Sequence, residues 1–337
     1  MVPHLACQMV ESSQIGDARR QAARLATTLD FDELALGRLA LVVTELATNL
    51  VRHASDGLLL IGIYAQGQVA TIEVISIDRG PGMSDIDRSV ADGVSTGGTA
   101  GNGLGAVHRT SGQFLIFSKI GFGSIIVARI ARDNSPLDST HQRGNELAYA
   151  GICIAAPGET VSGDAWACRQ GATSASILVA DGLGHGPDAA LAADAAAKLL
   201  REDIGSSPRD VVERCHGALR ATRGAAVAAI QIDLARQSLA FCGVGNVAAR
   251  ILSGTEDRSL VSQHGTVGLQ VRKIHAIDYA LPEHAILVAH TDGIVSRWDL
   301  KDVPELLSCS PVMLAAHLIR NKFRGRDDAT VVVVQCN

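Results

Sequence analysis

The sequence lacks the features by which several large classes of protein are recognised. It has no run of basic residues, and its formal net charge of -5 comes from charged residues that make up 19% of the chain and are spread along it. Nucleic-acid surfaces and contacts with anionic membranes require clustered Lys and Arg. We therefore expect neither nucleic acid nor a membrane among the partners, and favour proteins and small molecules.

Long apolar stretches and paired cysteines are also missing. A charged or strongly polar residue interrupts every apolar stretch well before the roughly 18 residues that a membrane helix needs. The N-terminus has no basic flank followed by a long apolar run. The seven cysteines include no C-x-x-C pair and no grouping with histidine at zinc spacing. These absences predict scattered, reduced thiols and a cytoplasmic protein.

What the chain does contain is enough apolar material for two folded units. With 337 residues and 47% hydrophobic content, it is more naturally two domains than one. The clearest break is the segment 131–146, which is polar, contains Ser-Pro and lacks apolar periodicity. We predict a domain over 1–132, a linker over 133–146 and a domain over 147–337. No internal repeat relates the halves, so two unrelated folds are expected.

Periodicity indicates an α+β fold class for the whole chain. The first half has a helical pattern, four strand-like runs and a glycine-rich loop, at 30–53, 58–64, 69–77, 114–118, 124–130 and 97–105. The second half has five strand-like runs around two alanine-rich helical stretches, at 176–180, 227–232, 247–252, 285–289, 329–334, 187–202 and 208–222. We expect an α/β sandwich, followed by a domain in which strands outnumber helices.

The first candidate functional pair lies on the helix predicted over 30–53. Five of its apolar residues recur at helical spacing and should face the core, namely Leu39, Val42, Val43, Leu46 and Leu50. Glu45 and Asn49 lie one turn apart on a different face, so a carboxylate and an amide project side by side. Taken alone, such a pair is more often a solvated face than a site.

A strand that ends in a carboxylate and glycines follows this helix. The apolar run 72–77 leads into Asp78, Gly80 and Gly82. An ionised Asp78 is suited to accept a hydrogen bond from an adenine amino group, and the glycines allow the backbone to approach a ligand closely. By itself the same pattern is typical of an ordinary turn.

The third element is the glycine-rich stretch 97–105, which precedes a segment of helical character at 106–111. Glycines before a helix present unpaired N–H groups to phosphate. The spacing is not that of a P-loop, no lysine follows, and helix and strand come in the wrong order for a dinucleotide-binding unit. These departures exclude a Walker or Rossmann interpretation.

Together with the Gly121-Phe122-Gly123-Ser124 segment, these elements resemble the N, G1, G2 and G3 boxes of the GHKL ATPases. The segments ADGVSTGG and GNGLGAV are similar to those of the RsbT-type serine kinases within that group. The resemblance implies a Bergerat sandwich in which Asn49 holds Mg²⁺ on ATP and Glu45 polarises an attacking serine or threonine hydroxyl. It also implies a nucleotide-binding set comprising Asn49, Asp78, Gly80, Gly82, Gly101, Asn102, Gly103, Leu104 and Ser124. Gly105 stands where related kinases have proline, which should loosen the lid.

The second half contains aspartates at the ends of apolar runs. Asp-Gly is a common turn and occurs four times in the chain. Apolar runs lead into Asp181 and Asp292, so these carboxylates should stand at the ends of buried strands. Asp164 and the pair Asp327 and Asp328, directly before the last apolar run, complete an all-oxygen set. Carboxylates without nearby His or Cys suit Mg²⁺ or Mn²⁺ rather than Zn²⁺.

The segments GD, ADGLGHG, RGAAVAAI, GVGN, TDG and RDDAT resemble, in this order, the metal-dependent PPM-type serine/threonine phosphatases. The second half has little sequence outside this core, and in this short form it is similar to RsbX and the SpoIIE phosphatase domain. The resemblance implies an α-β-β-α sandwich with two Mn²⁺ or Mg²⁺ ions. Asp181 would bridge them, with Asp164 and the Gly182 carbonyl on one ion. Asp292 and Asp327 would hold the other ion, and Asp328 is an alternative to Asp327.

Two further features of the second half concern substrate. His185 is a candidate to protonate the leaving group, although a turn histidine without such a duty is the commoner case. The first strand lacks the arginine with which larger phosphatases of this class bind phosphate. We therefore expect binding to depend on the partner protein.

The two resemblances together imply a bifunctional partner-switching enzyme. The first domain would phosphorylate a serine or threonine of a STAS-type antagonist or stressosome protein, and the second would hydrolyse that phosphate. In an alternative, the first domain is a nucleotide-dependent binding module without transfer activity, which the retention of Glu45 argues against. A third interpretation, a structural metal cluster, is disfavoured because a closed site would not need four separated strand ends.

Overall fold

The computed structural model describes residues 2–64, 66, 69–91, 103–135, 137, 147–203, 205–254 and 256–336. They form two compact units, one from the described residues of 4–139 and the other from those of 140–337 with the first residues of the chain. Gly101, Asn102 and most of the predicted linker lie outside the described residues. All seven cysteines are free thiols.

The first unit is one antiparallel sheet with helices packed on a face. Its elements are β1 (Leu5–Met9), α1 (Ser13–Thr27), α2 (Glu33–His53), β2 (Gly57–Ile63), β3 (Thr71–Ile77), α3 (Ile86–Val90), α4 (Gly103–Thr110), β4 (Gln113–Lys119) and β5 (Gly123–Ala131). The strands lie in the order β1-β2-β3-β5-β4. Side chains of α1 and α2 share one hydrophobic core with side chains of the sheet. This is the α/β sandwich that the sequence predicts.

Helix α2 carries the candidate pair and is well defined at both ends. The Asp32 carboxylate accepts a hydrogen bond from the Ala35 N–H at 2.7 Å, and the last turn contains Arg52 and His53, which complement the helix dipole. The five apolar residues predicted to face the core are at most 2% exposed. Each such side chain contributes about 1.5–3 kcal/mol by leaving water. Within the described part of the chain, α2 is the one helix long and apolar enough to cross a membrane.

A buried ion pair crosses the sheet of the first unit. Arg129 on β5 lies opposite Glu73 on β3, and its Nε donates to Glu73 Oε2 at 2.6 Å. Its Nη1 donates to Gln113, and the guanidinium lies 3.8 Å from the ring centroid of Tyr64. Burial raises the pKa of Glu73, but the Arg129 charge opposes this and, with hydrogen bonds and a contact from His4, leaves that pKa below its usual value. The pair is therefore matched in charge and in hydrogen bonds.

The second unit is a four-layered sandwich. Its strands are β6 (Leu147–Ile154), β7 (Asp164–Gln170), β8 (Ser174–Gly182), β9 (Ala225–Asp233), β10 (Ser238–Val244), β11 (Ala248–Ser253), β12 (Glu256–Ser259), β13 (Gly265–Thr266), β14 (Gln270–Val271), β15 (Ile277–Ala280), β16 (Ile286–His290) and β17 (Ala329–Cys336). Its helices are α5 (Pro187–Arg201), α6 (Pro208–Ala218) and α7 (Pro311–Lys322). Two five-stranded sheets have the orders β15-β10-β9-β8-β7 and β12-β11-β16-β17-β6.

The core of this unit lies between the two sheets. Trp166 and Phe241 from the first sheet pack with Leu287 and Val332 from the second. Helices α5 and α6 cover the outer face of the first sheet, and α7 lies against β6 and β17 of the second. The predicted α-β-β-α sandwich is thus present, and every neighbouring pair of strands in both large sheets is antiparallel.

Helix α5 positions the turn that precedes it. Pro187 is its first residue, and Gly186 before it has φ +77°, a conformation that favours glycine. The buried face consists of short side chains, which allow close packing on the sheet: Ala189, Ala190, Ala192, Ala193, Ala196 and Ala197. A Cβ on Gly182 would collide with the Ala189 carbonyl. The turn 182–186 is therefore held between β8 and α5.

The buried pair in the first unit leads to a stability prediction. Replacing Glu73 by Gln leaves the Arg129 charge buried without its partner, and we expect the free energy of unfolding of this unit to fall by about 3–5 kcal/mol. Because the pKa of Glu73 is lowered in the folded state, its stabilisation is present above the unfolded-state pKa and is lost as the pH falls. The difference between wild type and E73Q should therefore shrink in acid. Denaturant titration, with hydrogen exchange in β3 and β5 to locate the effect, measures both.

The control is Glu33→Gln, which removes an exposed carboxylate from the first turn of α2. We expect a loss of no more than about 1 kcal/mol there. Equal stability of wild type and E73Q at neutral pH would contradict the prediction.

Candidate functional site

The structure brings the candidate pair of α2 close to the start of α4. Glu45 and Asn49 are both half-buried, outside the apolar face of α2. A Cβ built on Gly103 would lie 2.9 Å from Glu45 Oε2 and 3.9 Å from Asn49 Oδ1. Three residues predicted from two separate motifs are therefore neighbours, and a side chain at position 103 would press on the Glu45 carboxylate.

Asp78 stands at the end of β3, as predicted, in a tightly held loop. Its Oδ1 accepts the Gly80 N–H at 2.6 Å, and its own N–H donates to the Ser124 carbonyl at 3.0 Å. Gly82 has φ +76°, and a Cβ there would collide with the Lys119 carbonyl. Gly82 is thus required by contact with the β4–β5 hairpin, in addition to any approach of a ligand.

The remaining predicted nucleotide-binding residues differ in access. Ser124 is 4% exposed, and its hydroxyl lies 2.9 Å from Ser118 Oγ, which accepts the Met83 N–H. The Ser124 side chain therefore supports the loop that follows Asp78, through Ser118, and has little access to solvent. Leu104 is half-buried against the core of the first unit.

In the second unit, Asp164 and Asp181 face one another on adjacent strands. Asp164 begins β7, Asp181 is close to the end of β8, and the two are direct partners in the register. Asp164 is 4% exposed, and its Oδ2 accepts the Thr291 hydroxyl at 2.6 Å. The same hydroxyl accepts the Thr330 N–H at 2.9 Å. Thr291 directly follows β16, and Thr330 lies in β17, so both belong to the side of the second sheet. The Thr291 hydroxyl therefore ties the ends of the two sheets together.

The other three carboxylates reach the same place from the second sheet. Asp328 is 3% exposed, and its Oδ1 accepts the Ala156 N–H at 2.9 Å. Asp327 is half-buried and accepts the Asp328 N–H. Asp292 accepts a hydrogen bond from the side-chain amide of Asn246 at 2.6 Å. Asp328 is therefore anchored in the fold, whereas Asp327 is the more accessible of the adjacent pair.

The electrostatics show that these carboxylates act on one another. Burial raises the pKa of Asp164 well above its usual value, and the Asp181 charge raises it further. Burial, followed by the charges of Asp292, Asp327 and Asp328, raises the pKa of Asp181 to about 7. The pKa of Asp328 is also raised, first by burial. Five carboxylates in one locality are stable at neutral pH only with a proton or a counter-charge.

The chemistry of this cluster fits divalent cations. Asp181 Oδ2 and Asp328 Oδ2 are buried and have no hydrogen-bond partner, so each of these two residues has a carboxylate oxygen available in the cluster. Oxygen-only ligands suit Mg²⁺ and Mn²⁺. Among the residues that the structure describes, no three His, Cys, Asp or Glu side chains already form a metal-binding arrangement. The carboxylates would therefore have to close around a cation, whose positive charge would relieve their mutual repulsion.

Two residues that the sequence places in the GVGN and TDG segments, without indicating a role for either, hold this cluster in place. Thr291 orients Asp164, and Asn246 orients Asp292. The position of Thr291 directly before Asp292 is the signal that could have identified it. Glu159 contacts the turn 182–186, where its Oε1 lies 2.8 Å from Nδ1 of the exposed His185.

Two protein families match successive parts of the chain. The histidine kinase-like ATPase domain family matches residues 10–116. The stage II sporulation protein E (SpoIIE) family matches residues 171–337.

Two relatives from Bacillus subtilis (strain 168) correspond to the same two parts. The serine/threonine-protein kinase RsbT is 33% identical over 111 residues, which are 33% of this chain and 84% of RsbT. The phosphoserine phosphatase RsbX is 26% identical over 187 residues, which are 53% of this chain and 89% of RsbX.

Two solved structures are similar to a little more than half of the chain. A structure described as "The bacterial stressosome: a modular system that has been adapted to control secondary messenger signaling" is 26% identical, with a TM-score of 0.51, over 56% of this chain and 99% of that one. RsbX in complex with magnesium shares the fold, with a TM-score of 0.52 and 21% identity over 58% of this chain and 98% of that one. The N-terminal part of the chain therefore belongs to the histidine kinase-like ATPase family and is RsbT-like, and the part after it is an RsbX-like SpoIIE domain of the PPM phosphatase type.

Proposed function

We propose that this chain is a bifunctional partner-switching enzyme that phosphorylates and dephosphorylates one serine or threonine of a STAS-type partner. The observation that carries the proposal is the convergence of five carboxylates where the two sheets of the second unit meet. The relatives of the two units are a serine/threonine kinase and a phosphoserine phosphatase. Because one chain would carry out both opposed reactions, it would set the fraction of the partner that is phosphorylated, rather than drive the partner fully to one state.

In the phosphatase unit, Asp164, Asp181, Asp292 and Asp327 would hold two Mn²⁺ or Mg²⁺ ions, with the Gly182 carbonyl as a further ligand. Such ions neutralise phosphoryl charge and lower the pKa of water. Asp328 is better suited to anchor the end of β6, because its Oδ1 already accepts the Ala156 N–H.

The protein's own groups would orient this site and move protons. Thr291 and Asn246 each occupy one oxygen of a neighbouring aspartate, which limits how these carboxylates can rotate. The Glu159 carboxylate accepts from Nδ1–H of His185, so Nε2–H of the doubly protonated ring would be the group that donates a proton to the departing serine or threonine oxygen.

In the kinase unit, Glu45 would polarise the attacking hydroxyl and Asn49 would hold Mg²⁺ on ATP. Asp78, with Gly80 and Gly82, would bind adenine, and the glycine-rich segment with Gly103 would bind phosphate. The support is the proximity of Glu45, Asn49 and the start of α4, since phosphoryl transfer depends mainly on positioning. The STAS-type partner is inferred from the likeness to RsbT, RsbX and a stressosome structure.

Substitution at Asp181 tests the phosphatase assignment. We expect Asp181→Asn to reduce hydrolysis of the phosphorylated partner by about 10²-fold or more, because it removes the ligand at the centre of the cluster. The intact mass of a STAS-domain partner, incubated with the full chain, ATP, Mg²⁺ and Mn²⁺, should then show stable phosphorylation. Asp278→Asn, in the exposed part of β15, is the control and should behave as wild type. Undiminished hydrolysis by the Asp181 variant would disprove the assignment.

Glu45 is tested in the same assay on the Asp181→Asn background. Adding Glu45→Gln should lower phosphorylation of the partner by about 10²–10⁴-fold, the usual effect of losing a general base. Glu33→Gln, an exposed change on the same helix, should leave the rate unchanged. If the Asp181→Asn protein binds both ATP and the partner but never transfers phosphate, the first unit is instead a binding module.

The carboxylate cluster also predicts a link between pH and cations. Because the pKa of Asp181 is raised to about 7, this group favours the folded state below its unfolded-state pKa, and that contribution is lost as the pH rises toward 7. Mn²⁺ should therefore raise Tm more at about pH 8 than at about pH 5, by about 2–4 °C for each kcal/mol recovered. Calorimetry with chelator or with Mn²⁺ measures this. Asp181→Asn should raise the metal-free Tm at about pH 8, and an equal Mn²⁺ effect at both pH values would contradict the prediction.

A further inference from the structure

The charge balance of the phosphatase site calls for an additional cation near its entrance. Two divalent ions would offset four of the five carboxylate charges, and the phosphate of a phosphoserine adds about two negative charges. Strand β6 (Leu147–Ile154) contains no arginine or lysine. Arginine is the side chain best shaped to donate several hydrogen bonds to a phosphoryl group. The structure supplies one at the far side of the turn 182–186.

The backbone of this turn connects the carboxylate cluster to Arg223. On one side, the Gly182 N–H donates to the Gly163 carbonyl at 3.0 Å, next to Asp164. On the other side, the Leu183 N–H donates to the carbonyl of Gly224 at 3.0 Å, next to Arg223. The arginine is therefore placed by the same turn that borders the carboxylates.

The contacts of Gly184 show how close Arg223 lies to the carboxylate cluster. A Cβ built on Gly184, which has φ +87°, would lie 3.4 Å from Arg223 Nη1. The Gly184 carbonyl oxygen lies 3.2 Å from a Cβ built on Gly163, and that Cβ would be 2.7 Å from Asp328 Oδ2. The adjacent backbones of Gly184 and Gly163 thus lie between the guanidinium and the Asp328 carboxylate.

Asp188 holds Arg223 at this position through a hydrogen bond from one nitrogen of its guanidinium. Arg223 Nη2 donates to Asp188 Oδ2 at 2.6 Å, and the two side chains are 53% and 60% exposed. An exposed pair of this kind contributes little to stability. It restricts the guanidinium, which has five N–H donors in total, while the rest of the group remains open to solvent.

We infer that Arg223 binds the phosphoryl oxygens of the phosphoserine or phosphothreonine substrate, from the rim of the carboxylate cluster. This rests on the proposed phosphatase function. The guanidinium N–H groups donate to the phosphoryl oxygens, and Asp188 limits the arginine to orientations that face the turn. Arg223 binds substrate and takes no part in proton transfer, so its loss should weaken binding more than it slows turnover.

The test uses the full chain with Mn²⁺ and two probes, inorganic phosphate and para-nitrophenyl phosphate. Arg223→Gln should raise the dissociation constant of inorganic phosphate, measured by calorimetry, by about 10-fold or more, which is the usual effect of losing a charge-assisted hydrogen bond. KM for para-nitrophenyl phosphate should rise by a similar factor, with kcat changed less than about 3-fold. Arg223→Lys keeps the charge but loses the planar fork, and should fall between wild type and Arg223→Gln.

The control is Arg209→Gln, which removes an exposed arginine paired with Glu213 on α6 and should change neither constant. Unchanged phosphate affinity in Arg223→Gln, with an active wild type, would overturn the inference. A wild type that binds phosphate through Arg223 but hydrolyses nothing would support the inference and count against the proposed phosphatase function.

Discussion

The hydroxyl of Thr291 joins the two sheets of the phosphatase unit where its carboxylates meet. It donates to Asp164 on the first sheet and accepts the Thr330 N–H from the second. These groups are buried, so each would cost about 1–3 kcal/mol if left without a partner. The bond therefore makes the sandwich and the site interdependent, because separating the sheets at this end would expose Asp164 and remove Asp292 and Asp327 from the neighbourhood of Asp181. Cation binding and closure of the sandwich are expected to support each other.

The candidate site of the first unit depends on close approach rather than on accumulated charge. Gly103 brings the start of α4 against Glu45, and Gly82 brings the Asp78 loop against the β4–β5 hairpin. A side chain at either glycine would displace a group that we assign to ATP or to the attacking hydroxyl. The two units would thus reach the opposite reactions that we propose by different physical means. One concentrates negative charge that a cation must relieve, and the other positions a carboxylate and an amide beside backbone N–H groups suited to phosphate.

Much of the fold could be predicted from periodicity, and the exceptions share a cause. Helix α2 and the central strands have strong apolar patterns, and each is present within a few residues of the predicted bounds. Helix α1 was not predicted, since three of its four buried residues are alanines, which give a weak periodic signal. Helix α7 is buried on nearly all sides and has no polar face that would reveal a helical period. The edge strand β12 is fully exposed and has no apolar residue facing a core.

The sequence by itself determined the order of the motifs, the two fold classes and the carboxylate and glycine residues of both candidate sites. These follow from local patterns, because a strand that ends in Asp-Gly or a helix with Glu and Asn one turn apart is visible in a short window. Only the tertiary structure decided that Asp164 pairs with Asp181, that Asp328 is anchored while Asp327 is more accessible, and that Arg223 borders the same turn. Each of these depends on strand register and on contacts between residues far apart in the chain, which short-range spacing does not specify.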